Sequence, residues 1–206
     1  MSVLIGKTQR PLILASASAA RGALLRGAGL SFEIRPAEID ESEAKEALES
    51  ENATALNAAE TLAELKAQHV STATPDAFVI GADQLLECDG VWFDKARDRD
   101  HAREQLRALS GRAHRLATAV CVSQGGARIW SHGESPRLTM RALSDDFLDR
   151  YLDAAGEQAT GCVGGYRLEE LGSQLFDKVE GDYFTILGLP LLPLLAFLRG
   201  HGIVPT

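Results

Sequence analysis

Three stretches of the chain bring together side chain types that handle anions, metals or protons. Ser16-Ala17-Ser18-Ala19-Ala20-Arg21 follows the short apolar run from Pro11 to Ala15. At such a strand-to-helix junction small residues let a phosphate approach the helix's first N–H groups, and Arg21 adds a forked donor. Ser18 there equally serves as an ordinary helix N-cap. Gly81-Ala82-Asp83-Gln84 places a carboxylate directly after the apolar AFVI. At the carboxyl end of a strand, such a group can hold a divalent cation, take a proton from water, or simply cap a turn. The third set is dispersed: Asp40, Glu41, Lys66, Lys95 and Asp182. Lys66 stands among Ala and Leu, and Lys95 follows Val91-Trp92-Phe93. Either lysine can lay its stem on apolar surface with the ammonium in a cleft, or belong to a solvated face.

Several other chemistries lack their residues. His114 stands alone, without a GxSxG nucleophile motif, and no catalytic role is assigned to it. Neither GxxxxGK[ST] nor GxGxxG occurs, so P-loop and Rossmann nucleotide binding are unsupported. Cys88, Cys121 and Cys162 are odd in number and form no CxxC pair, which points away from disulfides and zinc and toward a reducing compartment. The net charge of −8, from 21 Lys and Arg against 29 Asp and Glu, opposes a nucleic-acid polymer or an anionic membrane as partner. An anionic small molecule needs only a few converging cations, or a metal ion carried in with it. MSVLIGKTQR is too soon interrupted by polar residues for a signal peptide core, and Ile186 to Leu198 is broken by Gly188, Pro190 and Pro193. The expectation is a cytoplasmic protein.

The 206 residues, 45% of them hydrophobic, are enough for one domain, or two small lobes sharing a core. PLILA reads as a strand and RGALLRGAG as the helix after it, with a second strand from Ser31 to Pro36 leading into the acidic EIDESEAKEALESE. Leu56, Ala59, Leu62, Ala63 and Leu65 recur at helical spacing, predicting a long helix from Ala53 to His69. A buried-type strand ending at Gly81 follows, then a hairpin turn at Asp89-Gly90 and a helix over Arg99 to Leu109. LATAVCVS, ARIW and PRLTMRAL read as antiparallel strands, the first two joined by Gln124-Gly125-Gly126. Ser144-Asp145-Asp146 starts a helix running to Ala155, and a Leu-rich helix ends the chain. No repeat, Pro-rich linker or low-complexity tract marks a separable second domain.

The order of these motifs is more specific than any one of them. LILASASAARGALL, IDE, LAELKA, VIGADQ, FDKA, LRALSGRAH and VEGDYFTILGLPL, in that succession, closely resemble the Maf-like nucleoside triphosphate pyrophosphatases along nearly the whole chain. The family pattern S-x-S-P-[RW]-R stands here as Ser16 to Arg21, with Ala19 for the proline and Ala20 for the Arg or Trp. The resemblance implies an α/β fold, a mixed twisted sheet flanked by helices, as a single domain over residues 1–206 with two lobes and an active-site cleft between them. It also implies a cytosolic enzyme, frequently a homodimer, that uses Mg²⁺ or Mn²⁺ to split a nucleoside triphosphate into monophosphate and pyrophosphate. Asp83 then matches the proton acceptor and, with Glu41, the metal-side carboxylates. Ser16, Ser18, Arg21, Lys66 and Lys95 match the phosphate-binding positions.

The resemblance extends to the base. Thr after the catalytic Asp, with Gln in the later glycine-rich segment, is similar to the dTTP/UTP-type enzymes, whereas Gln with Glu is similar to the 7-methyl-GTP type. This chain has Gln84 and Glu169. Methylation at N7 makes guanine cationic and strengthens its N1–H and exocyclic amine as donors, which a carboxylate accepts well. Alanine at position 20 implies a roomier pocket beside the nucleotide. Two other functions stay open at this point: a regulatory nucleotide-binding role in septum formation, and a phosphatase or ITPase-type activity.

Overall fold

A computed structural model of the protein describes residues 10–204. The MSVLIGKTQ segment, on which the signal-peptide reading rests, lies outside the described residues. The fold is mixed α/β, with an open sheet flanked by helices, and the chain divides into two compact units.

The first unit comprises residues 10–84, 118–134 and 188–204. Its central strand β1 (Leu12–Leu14) pairs in parallel with β2 (Glu33–Ile34) and with β3 (Phe78–Cys88). Parallel neighbours require crossovers. Helix α1 (Ala19–Gly27) connects β1 to β2, while α2 (Glu41–Ser50) and α3 (Ala55–Ala73) lie between β2 and β3. β1 is buried at every residue, which explains its unbroken apolar run. The second half of β5 (Ala113–Gln124) forms an antiparallel hairpin with β6 (Ala127–Glu134) in this unit. Ile13, Leu14, Leu25, Leu62, Ile80 and Val122 are buried in this unit, as are Leu194 and Leu198 of α8 (Leu191–Gly200).

The second unit comprises residues 85–117 and 135–187. The end of β3 turns through Asp89 and Gly90, both at positive φ (52° and 83°), into β4 (Val91–Phe93). That two-residue turn twists the way a hairpin does, and an Asp-Gly pair tolerates it at least cost. The start of β5 pairs with β7 (Arg137–Met140), which pairs with β8 (Phe176–Glu180), all antiparallel. Helices α4 (Arg99–Leu109) and α5 (Asp145–Ala155) are laced by Arg103 on Asp149 (2.7 Å) and Arg99 on Asp153 (2.6 Å), with Arg107 also on Asp145. Two short helices, α6 (Gln158–Gly161) and α7 (Tyr183–Ile186), complete the unit. Its core gathers Leu86, Leu106, Leu109, Leu138, Met140, Leu148 and Leu175.

Three elements differ from the reading of the sequence. β3 does not end at Gly81 but runs on to Cys88, so Asp83 lies within the strand rather than after it. The polar Asp83 and Gln84 do not interrupt it, because Lys66 and Thr118 satisfy their side chains and Leu85, Leu86 and Cys88 resume burial. The acidic stretch contains α2, a helix with no buried residue, so its sequence has no apolar stripe to detect. Strand β8 has no alternation either, with four of its five residues exposed.

Candidate active site

Helix α3 presents a buried stripe of Ala59, Leu62, Ala63, Ala67 and Val70, and Lys66 belongs to that stripe. Burying an ammonium there is costly unless it is paired and hydrogen-bonded. Lys66 Nζ donates to Asp83 Oδ1 on β3 at 2.6 Å and to Glu41 Oε2 on α2 at 2.7 Å. Asp83 is as secluded as its partner, 6% against 7% exposed, while the Glu41 side chain is 43% exposed. Glu41 gains its place from Asp40, whose carboxylate accepts from the Ser42 and Glu43 N–H groups and caps α2.

Arg21 lies in the same unit, in the first turns of α1. Its Nη1 donates to the Ala82 carbonyl at 2.8 Å and to Ser16 Oγ at 3.1 Å, and its Nε donates to the Gly188 carbonyl at 2.8 Å. Burial pushes the guanidinium below its usual pKa, and the charges of Asp83 and Glu41 push it back up. Ser16 Oγ also accepts from the Ser18 N–H, and Ser18 Oγ caps α1 by accepting from the Arg21 N–H. Ser18 is therefore an N-cap, whatever else it does. Ala20 is half-buried in the first turn of α1. Gln84 is held by donation from its Nε2 to the buried Thr118 hydroxyl at 2.8 Å.

The second unit carries the other two candidates. Lys95 is exposed, with its backbone bridged to Val163, and its ammonium forms no ion pair among the described residues. Glu169 is likewise exposed and without an ion pair among the described residues, since Arg167 binds Glu170 at 3.2 Å instead. Burial raises the pKa of the Cys162 thiol, with Arg167 and, more weakly, Lys95 lowering it and Glu169 raising it. Asp182 is a structural cap of α7, accepting from Thr185 N–H at 2.7 Å and its hydroxyl at 3.0 Å.

Sequence reasoning thus reached Ser16 and Arg21, which the structure bonds to each other, and Lys66, which it bonds to Glu41 and Asp83. It missed the carbonyls of Ala82 and Gly188 that fix Arg21, and Thr118 that fixes Gln84. A backbone acceptor leaves no mark on residue type. For Thr118, a polar residue inside LATAV was the available signal.

Asp83 and Glu41 already converge on one positive charge, that of Lys66. Two carboxylates of this kind suit a hard divalent cation such as Mg²⁺ or Mn²⁺, which takes one or two of them and completes its shell with water and phosphate oxygens. Among the described residues no group of three or more His, Cys, Asp or Glu side chains is gathered for a metal, so a cation held by these two would take its further ligands from substrate and solvent.

Lys66, Asp83, Glu41 and Arg21 thus all belong to the first unit, and the chain belongs to the Maf family, whose Maf-like protein model matches residues 11–201. Among curated relatives, the nucleoside triphosphate pyrophosphatase of Granulibacter bethesdensis is 55% identical over 92% of this chain and 96% of its own. That of Paramagnetospirillum magneticum is 54% identical over 92% and 98%. A protein of Rhizobium meliloti named 7-methyl-GTP pyrophosphatase is 48% identical over 94% and 97%.

Proposed function

We propose that this protein hydrolyses 7-methyl-GTP to 7-methyl-GMP and pyrophosphate with Mg²⁺ or Mn²⁺, acting in the cytoplasm. In class it is a nucleoside triphosphate pyrophosphatase, a hydrolase. The observation that carries the reaction is the buried Asp83 carboxylate, fixed by Lys66 and sharing its surroundings with Arg21.

Water attacks the α-phosphorus, the α–β anhydride bond breaks, and pyrophosphate leaves with the bonding electrons. The attacking water gives up a proton. Asp83 Oδ1 receives the Lys66 hydrogen bond, which orients the carboxylate to accept that proton. Arg21, already locked in place by three bonds, offsets phosphate charge without reorganising. Lys95, exposed and without an ion pair among the described residues, is a further cation for the phosphates. A divalent cation held by Asp83 and Glu41 supplies Lewis-acid stabilisation of charge on the triphosphate when bound. Against a net charge of −8 these local cations have to overturn a repulsive field, so activity depends on metal and falls with salt.

Support for the methylated base comes from Glu169, which forms no ion pair among the described residues while Arg167 binds Glu170, and from Gln84 beside Asp83. The name borne by the Rhizobium meliloti relative points the same way. The test is a panel of 7-methyl-GTP, GTP, dTTP, UTP and CTP with Mg²⁺ or Mn²⁺, assayed for pyrophosphate against orthophosphate. The reading expects pyrophosphate and the highest kcat/KM for 7-methyl-GTP. Higher kcat/KM for dTTP or UTP would overturn the base, and orthophosphate alone would overturn the reaction.

A further inference from the structure

We propose that Gly81 is a positioning residue, whose missing side chain lets α3 lie directly on β3 and so sets the contact between Lys66 and Asp83. This rests on the catalytic reading of Asp83 above. A Cβ built on Gly81 would stand 2.1 Å from the Ala63 carbonyl oxygen, 2.8 Å from the Ala67 nitrogen and 2.9 Å from Ala67 Cβ. Ala63 and Ala67 are four apart, so their C=O and N–H belong to one helical turn, and Lys66 lies within that turn. Gly81 is not among the residues with positive φ. Its backbone conformation is open to any residue, so the approach of the helix, not the conformation, requires glycine. Gly81 and Asp83 are two apart on an extended strand and share a face. The residue that admits the helix and the carboxylate that meets its lysine are therefore neighbours on one side of β3.

Neither partner can withdraw freely. The carbonyls flanking Gly81 are both in use, Ile80 accepting from Ala15 N–H and Ala82 accepting from Arg21 Nη1, each at 2.8 Å. If β3 retreats from a methyl group, it loosens β1 and the Arg21 bond. If α3 retreats, it carries Lys66 with it. A separation of carbon from oxygen near van der Waals contact requires the seam to open by about 1 Å. A misplacement of about 1 Å in a reacting constellation costs on the order of 10²-fold in rate.

The experiment compares wild type, Gly81→Ala, and Leu198→Ala, a buried leucine of α8 that serves as a control for stability alone. The substrate is whichever triphosphate of the panel has the highest kcat/KM, assayed well below every melting temperature. Gly81→Ala is expected to lose kcat on the order of 10²-fold with only a few-fold change in KM. Leu198→Ala is expected to melt earlier with kcat unchanged. A second readout needs no substrate: the ¹⁵N-observed ammonium signal of Lys66, assigned by its absence in Lys66→Met. That signal is expected to exchange slowly in wild type and much faster in Gly81→Ala. A folded Gly81→Ala protein with wild-type kcat, or with an unaltered Lys66 signal, overturns the inference. Should Gly81→Ala fail to fold, Ala67→Val, which enlarges the same seam from the helix side, carries the same expectations and the same refutation. Wild-type turnover in Asp83→Asn would instead remove the catalytic reading, while the Lys66 signal still tests whether Gly81 sets the contact.

Discussion

Arg21 reaches the carbonyl of Gly188, 167 residues further along the chain, through a 2.8 Å bond from Nε. Through Nη1 the same guanidinium holds Ala82 on β3 and Ser16 in the loop that precedes α1. One side chain thus ties three distant stretches of the chain together beside Asp83. A rigid planar fork does this with little loss of freedom per bond, which a flexible ammonium does not.

Arg21→Lys is therefore expected to destabilise the protein and weaken the reaction together. A single ammonium does not reproduce the fork that serves the Gly188 and Ala82 carbonyls and Ser16 Oγ, and a buried acceptor left unsatisfied costs about 1–3 kcal/mol. Urea denaturation and kcat/KM measure the two effects. An unchanged unfolding midpoint in Arg21→Lys would show that the fork is not needed.

Asp83→Asn and Glu41→Gln should separate in size. Asp83 is 6% exposed and is oriented by Lys66, and Asn is nearly isosteric but a far weaker base. Asp83→Asn is expected to lower kcat by roughly 10²–10⁴-fold with the fold intact. Glu41 touches Lys66 from an exposed helix, so Glu41→Gln should chiefly raise the Mg²⁺ or Mn²⁺ concentration needed for half-maximal activity. Metal titrations of both variants, with circular dichroism as the check on folding, decide it; a larger kcat loss in Glu41→Gln would reverse the roles.

Base selection is expected to respond at two positions. Glu169→Gln removes the acceptor charge for N1–H and the exocyclic amine, so the ratio of kcat/KM for 7-methyl-GTP over dTTP should fall. Such a charged hydrogen bond is worth about 1.5–3 kcal/mol, or roughly ten-fold and upward in that ratio. Ala20→Trp and Ala20→Arg fill the half-buried start of α1 and should also change the ratio between bases. Ratios untouched by all three substitutions place both residues away from the base.

How far the molecule was legible can be followed through single residues. Ser144 and Asp89-Gly90 announced their elements because a cap and a turn are local, and the structure shows Ser144 accepting from Phe147 N–H. Lys66 was legible as a cation amid an apolar stripe, yet its two partners were not, because they stand 17 and 25 residues away on other elements. Helix α2 escaped because it is held by its cap and its charges, with nothing buried to give a period. The order of the motifs supplied the family, whereas the carbonyl of Gly188 and the bare surface of Gly81 became visible only as distances.

His114 gives a prediction with a defined pH window. It is 1% exposed, with Nε2 at 2.7 Å from the Tyr166 hydroxyl and no partner for Nδ1 among the described residues. Burial pushes its pKa down from 6.5 to about 4. In the unfolded chain the imidazole takes up its proton near 6.5, so between these values the unfolded state binds more protons than the native one, and stability rises with pH. The contribution is complete above 6.5 and is lost as the pH falls toward 4, to a total of about 3 kcal/mol. In His114→Gln that slope is absent, while acid effects from carboxylates remain in both proteins. Urea titrations at pH 7 and pH 4.5 should therefore show wild type losing about 2–3 kcal/mol more than the variant over this interval. Parallel losses in the two proteins would mean that His114 takes up its proton in the fold as readily as in the open chain.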